Sequence, residues 1–141
     1  MNHNHINEMN NFSHSLEIFN DDRANRIFDL FPSMQGQITV SDIKPFQFSG
    51  WHMHTIQTDY FCVVRGMLNL YLINELGKVN IFKLDSITPR TITVPKKNIH
   101  SWQSFSEGAI LIYYLTEKHN ESDEYRFTNE YIKNQYNFSH K

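Results

Sequence analysis

The chain has one cysteine, five glycines and four prolines among 141 residues. The lone Cys62 excludes an intrachain disulfide and a zinc site built from thiolates. It lies in an apolar run and reads as an inert buried thiol. No stretch is rich in Pro, Gly or Ser, and no segment repeats. No apolar run approaches the ~18 residues of a membrane helix, so no membrane partner is expected. Neither sign of charge dominates: 13 Lys and Arg face 15 Asp and Glu, a formal net charge of -2. That excludes a nucleic-acid binder working by bulk charge. Met1 to Asn11 is polar and Asn-rich, without the apolar core of a secretory signal. The expectation is a soluble cytoplasmic protein, with a flexible tail over 1–11 and a single domain over 12–141.

Aromatic residues, in contrast, are plentiful at 14 %, with eleven Phe and seven Tyr. Aromatic and β-branched side chains favour strands. The chain reads as a series of short strands. Leu16–Phe19 and Arg26–Phe31 come first, the second stopped by Pro32. Gln37–Ser41 alternates apolar and polar with the period of a half-buried strand, which would put Ile38 and Val40 in the core. Segments at Gly50–Thr55, Asp59–Arg65, Met67–Ile73, Lys78–Phe82, Thr91–Val94, Trp102–Phe105 and Ala109–Leu115 follow, with Gly66 read as a turn. Leu68, Leu70, Ile92, Val94 and Leu111 complete the expected core. Strands at this spacing predict an all-β sandwich or barrel. The polar stretch 121–141, with its scattered aromatics, is expected to form a clasp or a short helix.

Eight histidines are many for this length. His3, His5 and His14 sit in or near the polar tail and His140 at the far end. His119, in a polar context, reads as solvated. His52 and His54 are two apart, so on a strand they project to the same side. Paired imidazoles on an inner face need polar partners. His100 follows Val94-Pro95 at a turn.

These segments resemble the cupin superfamily. Its first motif is His-x-His, three or four residues, an acidic residue, six residues and Gly; His52, His54, Asp59 and Gly66 fit that spacing. Its second motif is Pro-x-Gly-x-x-His and then Asn; Pro95 and His100 fit, with Lys97 at the Gly position and Ser104 at the Asn position. The two halves lie about thirty residues apart. The resemblance implies an all-β cupin double-stranded β-helix, a jelly-roll β-sandwich.

Within cupins, the chain is similar to proteins grouped with dTDP-4-dehydrorhamnose 3,5-epimerase. The likeness rests on Gly50–His54, Gln57–Met67, Pro95–His100, Thr116-Glu117, Asp123–Arg126 and an opening at Asp21-Asp22-Arg23. The sugar 3,4-ketoisomerases carry a similar Trp-His-x-His segment. The resemblance implies a metal-free and cofactor-free isomerase acting on a nucleotide-linked 4-keto-6-deoxy sugar, and a homodimer. Both reactions begin with removal of a proton beside the ketone, which needs a base near neutral pKa and an acid on the opposite face of the ring. His52 matches the family's base and Tyr113 its acid, with Tyr114 the alternative one position on. His100 would orient His52 or the substrate. His54, Gln57, Asp59, Trp102 and Arg23 would contact the substrate. Three departures stand out: Ser49 replaces the family's Arg, Asp59 stands where epimerases carry Lys, and Ala24 replaces a Gly.

Two other classes of function compete. His52, His54, Asp59 and His100 form a set of three imidazoles and a carboxylate that suits Fe, Mn, Ni or Zn. A non-catalytic sugar-binding cupin is the third class.

Overall fold

The computed structural model describes residues 18–28 and 35–140. The expected tail, and the outer parts of the strands expected at 16–19 and 26–31, lie outside the described residues. Among the described residues, nine strands run in the order β1 (Ile18–Asn20), β2 (Ala24–Ile27), β3 (Gln37–Ile43), β4 (Trp51–Met53), β5 (Asp59–Ile73), β6 (Val79–Asp85), β7 (Thr91–Val94), β8 (Ile99–Leu115) and β9 (Tyr125–Phe127). A 3-10 turn over Glu121–Asp123 precedes β9, and helix α1 (Asn129–Tyr136) follows it. Thr128 caps α1 by accepting from the Tyr131 N–H. Asn137 ends the helix in the left-handed conformation.

All pairings are antiparallel. One path runs β1-β2-β3-β8-β4-β9, while β5 pairs with β6, β7 and β8. The frame is the β5–β8 ribbon, two strands of 15 and 17 residues paired from Asp59↔Leu115 to Ile73↔Ile99. Gly66 is therefore no turn. It sits inside β5 at a register shift, where its φ of 73° and its approach to Gly108 exclude a side chain. A Cβ there would lie 2.3 Å from the Gly108 carbonyl oxygen. The bulge bends the ribbon, so that one pair of long strands does the work of four short ones.

Two apolar clusters result. The larger holds Phe61, Val63, Leu68, Leu70, Val94, Trp102 and Leu111, with Ile92 packed against it. The second holds Trp51, Tyr71, Ile73, Ile99 and Ile132, covered by Phe127, Tyr136 and Phe138 of the C-terminal segment. That segment is thus a clasp and a helix together.

The phase of β3 is opposite to the expected one. Gln37, Thr39, Ser41 and Ile43 are buried, while Ile38 and Val40 are half-buried on the other face. Ser41 of this face lines a cavity, and the polar side chains of the face pair with one another and with neighbours. The Gln37 amide donates to Thr39 Oγ1 at 3.2 Å, and Ser41 Oγ lies 3.5 Å from the Tyr113 hydroxyl. Cys62 is half-buried rather than buried, on the face of β5 opposite Phe61 and Val63.

Candidate functional site

A cavity of about 480 Å³ opens within the sandwich. Its lining includes His52, His54, Gln57, Asp59, Phe61 and Trp102, with Ser41 and Tyr113 also on its wall. Arg23, Arg26 and Arg126 border it together with Asp21, Glu121 and Glu124. Among the residues expected at a site, His100 lies behind this surface. It is 1 % exposed and packs against His52, with ring centroids 4.2 Å apart.

The three histidines converge. One ring nitrogen from each of His52, His54 and His100 lies within 4.8 Å of the other two. β4 and β8 pair at His52↔His100, which sets two of the rings side by side. His54 comes just past the end of β4 and is 6 % exposed.

Each ring is held through Nδ1 by a backbone carbonyl. His52 Nδ1 is 3.1 Å from Gly50 O, His100 Nδ1 is 3.1 Å from Asn98 O, and His54 Nδ1 is 2.9 Å from Asp123 O. A carbonyl oxygen only accepts, so each Nδ1 carries the proton. In a neutral ring Nε2 then holds a free lone pair. Asp59, 3 % exposed, is held in the same way. Its Oδ1 accepts from the Gln57 amide at 2.6 Å. Its Oδ2 lies 3.4 Å from His100 Nε2 and 3.8 Å from His54 Nε2.

The result is a cluster of acceptors without enough donors. Among the described residues, His100 Nε2 is the buried side-chain nitrogen or oxygen with no hydrogen-bond partner. Burial first, and then the proximity of His100, His54 and Arg126, hold the His52 imidazole well below its ordinary range; its bond to Gly50 O only partly opposes them.

The second motif's turn follows the same economy. Lys97 takes a φ of 65° where the cupin pattern has Gly, and its N–H donates to His54 O at 2.6 Å. The turn before His100 is thereby tied to His54. Ser104, at the motif's Asn position, donates to Lys44 O and accepts from the Gln47 N–H.

Tyr113 and Tyr114 separate cleanly. Tyr113 lines the cavity, and burial raises its phenol above the usual value. Tyr114 stacks on Tyr60 and reaches Gln35 O, away from the cavity. Trp102 is wall rather than lid, buried in the larger core cluster. Arg23 stands at the rim, bonded to Asp21 and to Ser49 O. His119 is exposed but stacks on Phe28 at the cavity's edge.

Several contributors were not singled out from the sequence. Arg26 shares the Asp21 carboxylate with Arg23. Arg126 reaches the cavity from β9, paired with Glu124. Asp123 holds the segment around His54. The run Asp123–Arg126 was visible as a likeness, but nothing local to it points to a distant strand.

The antiparallel strands form a double-sheet jelly roll, the architecture of the cupin fold. Solved structures agree. CapF, a capsular polysaccharide assembling protein from Staphylococcus aureus, superposes with a TM-score of 0.71 at 20% sequence identity, over 84% of this chain and 33% of its own. Bacillus subtilis oxalate decarboxylase, a protein with Mn(II) centres, superposes with a TM-score of 0.69 at 14% identity, over 89% of this chain and 36% of its own. The chain thus spans about a third of the length of these proteins. No family model matches the sequence, and no curated protein matches it. Among the described residues, no helix is long and apolar enough to cross a membrane.

Proposed function

We propose that this protein is a metal-binding cupin that holds one divalent transition-metal ion through His52, His54, His100 and Asp59. The observation that carries the reading is the buried His100 Nε2, unpartnered beside two more imidazoles and a carboxylate oxygen. Nitrogen and oxygen donors of this kind suit Mn, Fe, Ni or Zn. The Mn(II) centres of the structurally similar oxalate decarboxylase support the assignment. Such an ion, when bound, supplies a Lewis acid that polarises an oxygen of the substrate.

The chain's own residues do the remaining work. The carbonyls of Gly50, Asn98 and Asp123 set the tautomers of the three rings. Gln57 orients Asp59. Tyr113, kept protonated by burial, offers an O–H donor from the cavity wall. Arg23, Arg26 and Arg126 favour a polar or anionic substrate, tempered by Asp21 and Glu124. The test is metal content. Protein purified without a His tag, stripped with chelator and titrated with Mn(II) or Zn(II), should take up one equivalent. His54→Ala should take up none. No stoichiometric uptake by the wild type overturns the reading.

A second reading is favoured by a specific pair, since His52 and Tyr113 line the same cavity. Here His52, kept neutral by burial, removes a proton beside the ketone of a nucleotide-linked keto sugar, and Tyr113 returns one, as in a 3,5-epimerase or 3,4-ketoisomerase. The sugar-polymer context of CapF supports it. Deuterium wash-in from D₂O at the carbons flanking the ketone checks it. Loss of about 10²–10⁴-fold is expected in His52→Asn and Tyr113→Phe. Equal exchange in wild type and variants excludes the pair from that role.

A further inference from the structure

We propose that Asp123 is the positioning residue for His54, and that docking of the C-terminal segment and metal binding are one linked equilibrium; the second half rests on the metal reading above.

The strand that carries the ligands has little support of its own. β4 is three residues long and pairs with β8 at a single position, His52↔His100. It pairs with β9 at three: Trp51↔Phe127, His52↔Arg126 and Met53↔Tyr125. After Met53 the backbone leaves regular structure until Asp59. His54 therefore has no strand to orient it.

Asp123 supplies the missing frame. Its backbone carbonyl, which any residue at this position would carry, accepts from His54 Nδ1 at 2.9 Å. Its Oδ1 accepts from the Thr55 N–H at 2.9 Å and from the Thr55 hydroxyl at 2.6 Å. Its Oδ2 accepts from the Ile56 N–H at 3.1 Å. One residue, 5 % exposed, thus holds the His54 ring and the two residues after it at once. Both carboxylate oxygens are thus engaged by donors of Thr55 and Ile56. No other residue is seen to hold the Nδ1 of His54.

The segment that brings Asp123 there is anchored independently. Ile132 of α1 is fully buried against Trp51 and Tyr71, and Phe138 packs on both of those rings. Docking of this segment brings the Asp123 backbone carbonyl to His54 Nδ1, while the backbone carbonyl of His54 accepts from the Lys97 N–H. Reciprocally, an ion that binds His54 Nε2 favours the docked state, because linked equilibria act in both directions.

The experiment compares wild type, Asp123→Asn, Asp123→Ala and Thr55→Val. Ring ¹⁵N NMR of the metal-free proteins reports the His54 tautomer, and chelator competition reports Zn(II) affinity. Wild type should show His54 fixed as the Nδ1–H form. Asp123→Ala keeps the backbone carbonyl but removes the carboxylate that fixes its place against Thr55 and Ile56, so mixed tautomers and a roughly 10–100-fold weaker Zn(II) affinity, the usual effect of disturbing an outer partner of a ligand, are expected. Asp123→Asn keeps an acceptor for Thr55 and should stay within a few-fold of wild type. Should Asp123→Ala fail to fold, Thr55→Val carries the test, with an intermediate loss expected. Variants that lose thermal stability but keep the tautomer and the affinity overturn the inference. A wild type that binds no Zn(II) removes the linkage and the metal reading, while the tautomer still decides whether Asp123 positions His54.

Discussion

Replacing His100 with leucine separates the metal site from the fold around it. In the metal-free protein the buried Nε2 has no partner, a penalty of about 1–3 kcal/mol. Leucine, of similar volume, removes that penalty. It also forfeits the bond from Nδ1 to Asn98 O, about 0.5–1.5 kcal/mol. The two nearly offset, so metal-free His100→Leu should unfold within about 2 kcal/mol of the wild type. The loaded proteins should differ far more. At a metal concentration 100 times the Kd, binding stabilises the folded wild type by about 2.7 kcal/mol. For a domain of this size that is roughly 8 °C in Tm, at about 3 °C per kcal/mol. The assay is calorimetric unfolding of chelator-stripped protein with and without Mn(II) or Zn(II). The wild type should shift by about that amount, and His100→Leu by less than about 1 °C. A variant that keeps the full shift refutes His100 as a ligand. A metal-free variant destabilised by more than about 4 kcal/mol refutes the claim that its Nε2 is a liability to the fold.

Three further outcomes follow from the same structure. Asp21 accepts from Arg23, Ala24 and Arg26; burial alone would raise its carboxyl, but these donors hold it far below the usual range. Its contribution is therefore complete above the unfolded value of about 3.9 and fades as pH falls through the lower folded one. Asp21→Asn should lose about 2 kcal/mol at pH 7, and in denaturant titrations the gap should begin to narrow below about pH 4 and keep shrinking as pH falls toward the folded value. Gly66→Ala forces a left-handed alanine and sets its Cβ against the Gly108 carbonyl. It should cost at least about 2 kcal/mol, read as a lower urea midpoint. Lys97→Gly relieves a φ of 65° and should gain about 0.5–1 kcal/mol, because the relief of about 1–2 kcal/mol exceeds the added freedom of the unfolded chain. Thermal melts of the metal-free protein check the sign.

Much of the site was legible along the chain. His52, His54, Asp59 and Gly66 lie close in sequence, and alternation on a strand brings the two imidazoles to one side. Pro95 and His100 mark the second half at a turn whose geometry is local. Within β5 the run Leu68, Leu70 and Leu72 marked one apolar face of a strand. These features depend on neighbours a few residues away, so the all-β class and the pairing of His52 with His54 on one side could be read from the chain, while the jelly roll followed from the resemblance to cupins. What depended on distant partners was decided only in the tertiary structure. β3 offered two faces of similar promise, and the cavity chose the polar one because Gln37, Thr39 and Ser41 find partners there. Gly66 looked like a turn because nothing near it reveals that Gly108 lies across the ribbon. Tyr113 and Tyr114 had equal claims until pairing with β5 placed Tyr113 inward. Asp123 stands 69 residues from His54. Its carboxylate and carbonyl could be matched to His54, Thr55 and Ile56 only once the C-terminal segment had folded back over Trp51 and buried Ile132. Hydrogen bonds of that reach are set by packing, and packing is a property of the whole chain.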